Sequence, residues 1–267
     1  SVVLNEMVPR RRFERPTCRL GGGCSIQLSY RGTCVLRGSH CRRFQLTFEC
    51  SIQANRISLE IHYVTDDQSN MELDTITGLV SGARQVPSPN YDARPDGVAV
   101  EALIIHAISL PPGQFGDRYI EQFFCNQLDR EAHPYFEEIA ELKVSAHFLI
   151  TRSGELVQFV PVHQRAWHAG ASCCIGREAV NDFSIGIELE GCDEEHFEDA
   201  QYETLEKLTR CLTKAIPTLS AENIYGHSDI APGRKTDPGP GFDWPRYRYA
   251  LDTGKNIMQT EPVWLCR

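Results

Sequence analysis

Leu103-Ile104-Ile105-His106-Ala107-Ile108 is a short apolar run rich in β-branched side chains. A strand covered on both faces reads this way, because neither side of its pleat has to meet water. The expectation is a buried strand over residues 102–108. The histidine inside it has two readings: a core residue with a satisfied ring, or a ligand carried at a strand end.

A second apolar pair, Ile224-Tyr225, leads into Gly226-His227-Ser228-Asp229-Ile230-Ala231-Pro232-Gly233-Arg234-Lys235-Thr236-Asp237-Pro238-Gly239-Pro240. Proline removes a backbone donor and restricts the residue before it, so the segment cannot continue as a helix. Thr236 to Pro240 is therefore a stiff loop whose side chains are held at little entropic cost. His227 and Asp237 offer a nitrogen and an oxygen of the kind zinc takes, and with His106 they make three ligands with a fourth place open to water. Lys235 leaves the extended chain on the same side as Asp237. A cation there weakens metal binding, which points to a developing anion as its partner. The bland alternative is a surface loop with a capping aspartate.

Other elements follow from periodicity. Residues 84–97, rich in Pro, Asn and Asp, read as an irregular arm, and Ser109 to Asp117 as a loop just after His106. Glu121 to Lys143 mixes a helical run with His133-Pro134, which must interrupt it. Ala146–Ile150 and Leu156–Val160 alternate as strands around the turn signal Arg152-Ser153-Gly154-Glu155, so a hairpin is expected, with His147 in a structural role. Ser184-Ile185-Gly186-Ile187-Glu188-Leu189-Glu190 is a strand with Glu188 and Glu190 on one face and the aliphatic residues on the other. Glu188, nearer the strand middle, is expected to be the more desolvated carboxylate, raised in pKa. Tyr202, Leu205, Leu208, Leu212 and Ile216 recur at helical spacing over Ala200–Ile216, and Pro217 stops the helix. A short helix is expected from Trp244 to Leu251.

The stretches HAISLPPGQFG (106–116), VSAHFLI (144–150), QFVPVHQRAWHAG (158–170), NDFSIGIELEG (181–191) and GHSDIAPGRKTDPGPGFDW (226–244) resemble the AmpD family of N-acetylmuramoyl-L-alanine amidases. The resemblance runs from about Met71 to about Leu251. It implies an α/β (α+β) fold shared with T7 lysozyme and peptidoglycan recognition proteins, a central mixed β-sheet flanked by helices. It also implies Zn2+ held by His106, His227 and Asp237, with Glu188 and Lys235 as catalytic residues. Trp167 and His168 have a bland reading, capping the core; the resemblance favours stacking on and hydrogen-bonding a sugar-peptide substrate, with Arg234 as a further contact. One departure is Ala107, where relatives often carry Asn. The implied reaction is hydrolysis of the bond between 1,6-anhydro-N-acetylmuramic acid and L-alanine in soluble muropeptides being recycled. Glu188 would take a proton from water and return it to the leaving amine, and Lys235 would stabilise the oxyanion. The competing readings are a binding module that holds peptidoglycan fragments without cutting them, and an exported cell-wall amidase.

Composition narrows the class. No apolar run in the 267 residues approaches a membrane span. The net charge of −9 conceals an asymmetry: residues 1–70 hold ten Arg, no Lys and six acidic residues, so everything after them is strongly acidic. An acidic domain disfavours nucleic acid as partner. The eleven cysteines include no CxxC pair, and adjacent Cys173 and Cys174 cannot readily bridge each other. Scattered thiols suit a reduced, cytoplasmic enzyme, expected here as a monomer. Residues 71–251 are expected to form the zinc amidase domain, with 252–267 as a tail. Residues 1–70, which lack the apolar core of a signal peptide, are expected to be an extension outside the working enzyme, read from an upstream start codon. The rival reading is a small regulatory module. Arg56 to Val64 alternates as a strand there.

Overall fold

The computed structural model describes residues 28–35, 43–53, 56–65 and 71–253. Two compact units result, one of them Asp67–Met258. The other contains strands β1 (Leu28–Val35), β2 (Arg43–Gln53) and β3 (Arg56–Thr65), paired antiparallel in that order. β3 contains the strand expected at 56–64; its two partners were not anticipated. The rest of residues 1–70, and 254–267 of the expected tail, lie outside the described residues.

The larger unit is built on a six-stranded sheet. Its strands are β4 (Arg84–Gln85), β5 (Ala102–Ile108), β6 (Phe148–Ile150), β7 (Leu156–Gln158), β8 (Ser184–Glu190) and β9 (Ile224–Gly226). They lie in the order β9-β5-β8-β6-β7-β4. The pairs β9–β5, β5–β8, β8–β6 and β7–β4 are parallel, and β6–β7 is antiparallel, so the sheet is mixed. Every residue of β8 is buried, as are Ala102 to His106 of β5. The central strands thus carry a layer on each face, as their unbroken apolar character requires.

Among the described residues, five α-helices flank the sheet: α1 (Tyr119–Phe124), α2 (Pro134–Ile139), α3 (Asp199–Ala215), α4 (His227–Ile230) and α5 (Trp244–Thr253). α3 lays Tyr202, Leu205, Leu208 and Leu212 on Leu103, Ile105, Ile185, Ile187 and Leu189, joined by Tyr247 and Leu251 of α5. The Glu198 amide donates to the Gln201 side chain at 3.0 Å, capping α3, and the Gln201 amide group donates to the carbonyls of Ile150 and Glu190. Helix and sheet are thereby joined by polar contacts as well as apolar ones. Elsewhere Phe123, Phe124 and Phe136 of α1 and α2 pack with Leu149, Val157 and Phe159. His133-Pro134 does interrupt the helical run, and it also starts α2: proline at the first helical position loses no bond, and the His133 ring accepts from the Tyr135 amide at 3.2 Å.

The 146–160 hairpin forms with Leu156 opposite Ile150. Its turn needs Gly154, at φ +83°, because a Cβ there would stand 2.8 Å from the Ala200 carbonyl oxygen. The arm at 84–97 is less irregular than its composition suggested. Arg84–Gln85 extends the sheet edge, and Tyr91–Ala93 pairs antiparallel with Gln164–Ala166. Among the described residues, no helix is long and apolar enough to cross a membrane, and Cys125, Cys173, Cys174, Cys192 and Cys211 are free thiols.

Candidate active site

Parallel pairing places the chemistry. Gly226 lies opposite Ile105, and Glu188 opposite His106, so His227, His106 and Glu188 come side by side where three neighbouring strands reach their carboxyl ends. Open α/β sheets gather ligands at that edge. Alternation turns His106 and Glu188 away from the α3 layer, while Ala107 packs against the core on the α3 side.

Asp237 arrives from the stiff loop. The Ser228 amide donates to its backbone carbonyl at 2.9 Å, and Pro238 packs where a Cβ on Gly226 would stand 3.0 Å from Pro238 Cδ. The carboxylate oxygen Oδ2 then lies 3.2 Å from His106 Nδ1 and 3.1 Å from His227 Nδ1, and the two Nδ1 atoms are 2.9 Å apart. These are the donors of the one His/Cys/Asp/Glu group among the described residues that can hold a metal ion.

The remaining ring nitrogens are engaged from outside the cluster. His227 Nε2 is 3.2 Å from the Ala169 carbonyl oxygen, and His106 Nε2 is 3.0 Å from His168 Nδ1. A carbonyl only accepts, so His227 carries its proton on Nε2 and turns a lone pair on Nδ1 inward. Two nitrogen lone pairs and a carboxylate facing one point within hydrogen-bond distance repel one another unless a cation sits between them. The donor set fits Zn2+, which takes imidazole nitrogen and carboxylate oxygen in four-coordinate sites.

Electrostatics agree with this division of labour. Burial pulls the His106 pKa down to about 4, against the opposing pull of Asp237, so its ring is neutral at physiological pH. Burial alone would raise Asp237, but the adjoining His106 and His227 rings outweigh that and hold its carboxyl well below the usual range. Glu188 goes the other way: burial first, then the Asp237 charge, raise it well above a normal glutamate, while Lys235 pulls it back.

Glu188 is 8% exposed, and its Oε2 has no hydrogen-bond partner. Glu190 on the same strand differs. Its two oxygens accept from the Gly116 amide at 2.6 Å and the Arg152 amide at 2.9 Å, fixing the loop after His106 and the hairpin turn. Of the two carboxylates, then, only Glu188 keeps an unengaged oxygen.

Lys235 is exposed, and its charge is felt at both His106 and Glu188. Arg234, also exposed, donates from Nη2 to the carbonyls of Ala169 (2.7 Å) and Ala171 (2.6 Å). Trp167 is half-buried, and after Arg165 it helps hold the Asp92 carboxyl below its ordinary pKa. His168, expected on the substrate side, has both ring nitrogens engaged within the protein, by His106 and by Ser184 Oγ at 3.2 Å. His147 has the structural role expected of it: its Nδ1 accepts the Gly186 amide at 3.0 Å and its Nε2 lies 3.1 Å from the Gln164 carbonyl.

Sequence reading missed Arg94 and Asn181. Arg94 is half-buried and donates to the carbonyls of Val162, Asn181, Asp182 and Ser184. The Asn181 side chain accepts the amides of His168 (3.1 Å) and Ala169 (2.8 Å). Neither sits in a periodic run, and although Asn181 opens the 181–191 stretch quoted for the resemblance, nothing in that stretch marks its role.

The N-acetylmuramoyl-L-alanine amidase family model matches residues 96–240, which span His106, His227, Glu188 and the Asp237 loop. The chain belongs to the N-acetylmuramoyl-L-alanine amidase family. The 1,6-anhydro-N-acetylmuramyl-L-alanine amidase AmpD of Escherichia coli K12 is 57% identical over 171 residues, 64% of this chain and 93% of that protein. The protein of the same name from Haemophilus influenzae is 51% identical, over 65% of this chain and 95% of its own. Among solved structures, a crystal structure of a selenomethionine AmpD derivative matches with a TM-score of 0.64 and 54% identity, covering 66% of this chain and 97% of that one. The amidase's mixed sheet and flanking helices therefore follow the family fold, and the protein is an N-acetylmuramoyl-L-alanine amidase.

Proposed function

We propose that this amidase is a zinc enzyme of peptidoglycan recycling in the cytoplasm, cleaving the amide between 1,6-anhydro-N-acetylmuramic acid and L-alanine in muropeptides. The substrate is the one named for the Escherichia coli relative, of which the chain covers 93%. The mechanism rests on one observation: three converging metal donors stand beside a buried carboxylate with an unengaged oxygen.

His106, His227 and Asp237 would hold Zn2+, which when bound polarises the amide carbonyl and eases the ionisation of water. Glu188, held in low dielectric beside them, accepts the proton of the attacking water at Oε2 and delivers it to the leaving alanine nitrogen. Its raised pKa brings it nearer working pH, where proton transfer in both directions is efficient. Lys235 provides an ammonium group for the oxyanion that develops on the carbonyl oxygen. Trp167 and Arg234 are the residues we assign to substrate contact.

The purified protein should contain one zinc per chain and turn over a defined anhydro-muropeptide, with activity lost on chelation and restored by zinc. Tight binding of that ligand without cleavage would instead establish a binding module.

A further inference from the structure

We propose that His168 and Ser184 are positioning residues: they form a one-way hydrogen-bond chain, ending on the Val180 carbonyl, that fixes which nitrogen of His106 faces the metal. This rests on the zinc reading of His106.

The direction of the chain follows from its last member. Ser184 Oγ lies 2.6 Å from the Val180 carbonyl oxygen, which can only accept, so the serine hydroxyl hydrogen points there. Ser184 Oγ then has only lone pairs for His168 Nε2, 3.2 Å away, and that nitrogen must carry the hydrogen. In a neutral ring His168 Nδ1 is consequently bare and accepts. Its neighbour at 3.0 Å, His106 Nε2, must donate. The His106 proton is thereby kept on Nε2, and the Nδ1 lone pair is turned toward Asp237 and His227. Burial first, with a smaller contribution from Arg94, opposes a positive charge on His168, and Arg94 also donates to the Ser184 carbonyl.

The slot for this ring is built. A Cβ on Gly186 would stand 2.5 Å from His168 Cγ, so only glycine at that place in β8 lets the imidazole lie over the strand. The ring meets His106 edge-on, with centroids 5.1 Å apart at 88°. Its backbone is fixed by the Asn181 side chain, and the turn holding Asn181 is fixed in turn by Arg94 through the Asn181 and Asp182 carbonyls. His227 is set more simply, by the Ala169 carbonyl one residue further on. Both ligand rings thus take their tautomer from the single segment Trp167 to Ala169, through different acceptors. A partner that orients a ligand histidine is typically worth 10–100-fold in metal affinity.

The test uses the full chain labelled with 15N-histidine, zinc-loaded and after chelation, with two-bond 1H–15N spectra to identify the tautomer of each ring. His106 should carry its hydrogen on Nε2 in both states. In Ser184→Ala, which removes the end of the chain without adding bulk, chelated His106 should become a mixture of tautomers. Zinc affinity, measured by competition with a chromogenic chelator, should fall roughly 10–100-fold. His168→Phe should show the same loss, whereas His168→Asn, whose Oδ1 can accept near the position of Nδ1, should recover most of the affinity. Unchanged tautomer and affinity in Ser184→Ala and His168→Phe would overturn the proposal, as would equal losses in the Asn and Phe variants. Failure of the unaltered protein to bind zinc would instead remove the metal reading, and is separable because the chelated spectrum needs no metal.

Discussion

Replacing Glu188 with methionine should make the metal-free protein more stable while nearly abolishing its activity. The carboxylate is 8% exposed and Oε2 is buried without a partner, so the fold carries a desolvation cost there. Methionine keeps a similar length and flexibility and removes the polar atoms. Relief of one unsatisfied buried group is worth about 1–3 kcal/mol. For a unit of this size each kcal/mol moves the melting temperature by about 2–4 °C, so Tm should rise by roughly 2–12 °C at pH 8.

The sign depends on pH. The folded-state pKa of Glu188 is raised above its ordinary 4.5, mainly by burial. Its contribution is therefore favourable below that ordinary value and is lost as pH climbs through the folded one. The advantage of methionine should shrink toward zero near pH 4.5. Calorimetry of chelated wild type and variant at both pH values measures this, and turnover of an anhydro-muropeptide by the zinc-loaded forms gives the second number. Loss of the proton carrier should lower kcat by about 10²–10⁴. A variant that melts lower at pH 8, or keeps kcat within about threefold, would refute the assignment of an uncompensated catalytic carboxylate.

Lys235→Ala should lower kcat by about 10²–10³. It should also shift the acid limb of the kcat–pH profile upward, because the Lys235 charge pulls the Glu188 pKa down; added salt should shrink that shift, and an unmoved limb would count against their electrostatic coupling. His147, whose pKa burial lowers to about 3 with help from Arg94, stays neutral in the fold and becomes charged on unfolding. Stability should therefore fall as pH drops from about 6.5 toward 3, by about 1.4 kcal/mol per unit for this ring. Denaturant titrations of His147→Gln should show that slope reduced by one proton's worth; an equal slope would contradict the neutral ring. A chain beginning at Met71 should fold and keep full turnover, since Asp67–Met258 forms a compact unit that contains every proposed site residue; loss of activity there would favour a regulatory role for residues 1–70.

Much of the architecture was legible because burial on both faces leaves an unmistakable pattern. β5, β8 and α3 came within a residue or two of their sequence limits, since each carries its own periodicity. β4 and the Tyr91–Ala93 strand did not, because a two- or three-residue strand at a sheet edge is stabilised by its neighbour and not by its own composition. Among the site residues, His106, His227, Asp237 and Glu188 sit on elements whose ends could be read, and the metal-donor group brings the first three together. The support around His168 was hidden. Arg94, Asn181 and Ser184 act through backbone carbonyls and amides distant in sequence, and a serine or an asparagine gives no sign beforehand of which carbonyl or amide it will meet.

The shared register of β9, β5 and β8 also limits which length changes this lineage can accept. Glu188 faces the cluster because it lies level with His106, with successive side chains alternating across the sheet. One inserted or deleted residue between Ser184 and Glu188, or between Ala102 and His106, would turn the affected side chain into the α3 layer and expose an aliphatic residue in its place. Gains and losses of sequence are therefore expected in connections that carry no proposed site residue, such as residues 109–117, and neither within these strands nor in the loop from β9 to Asp237.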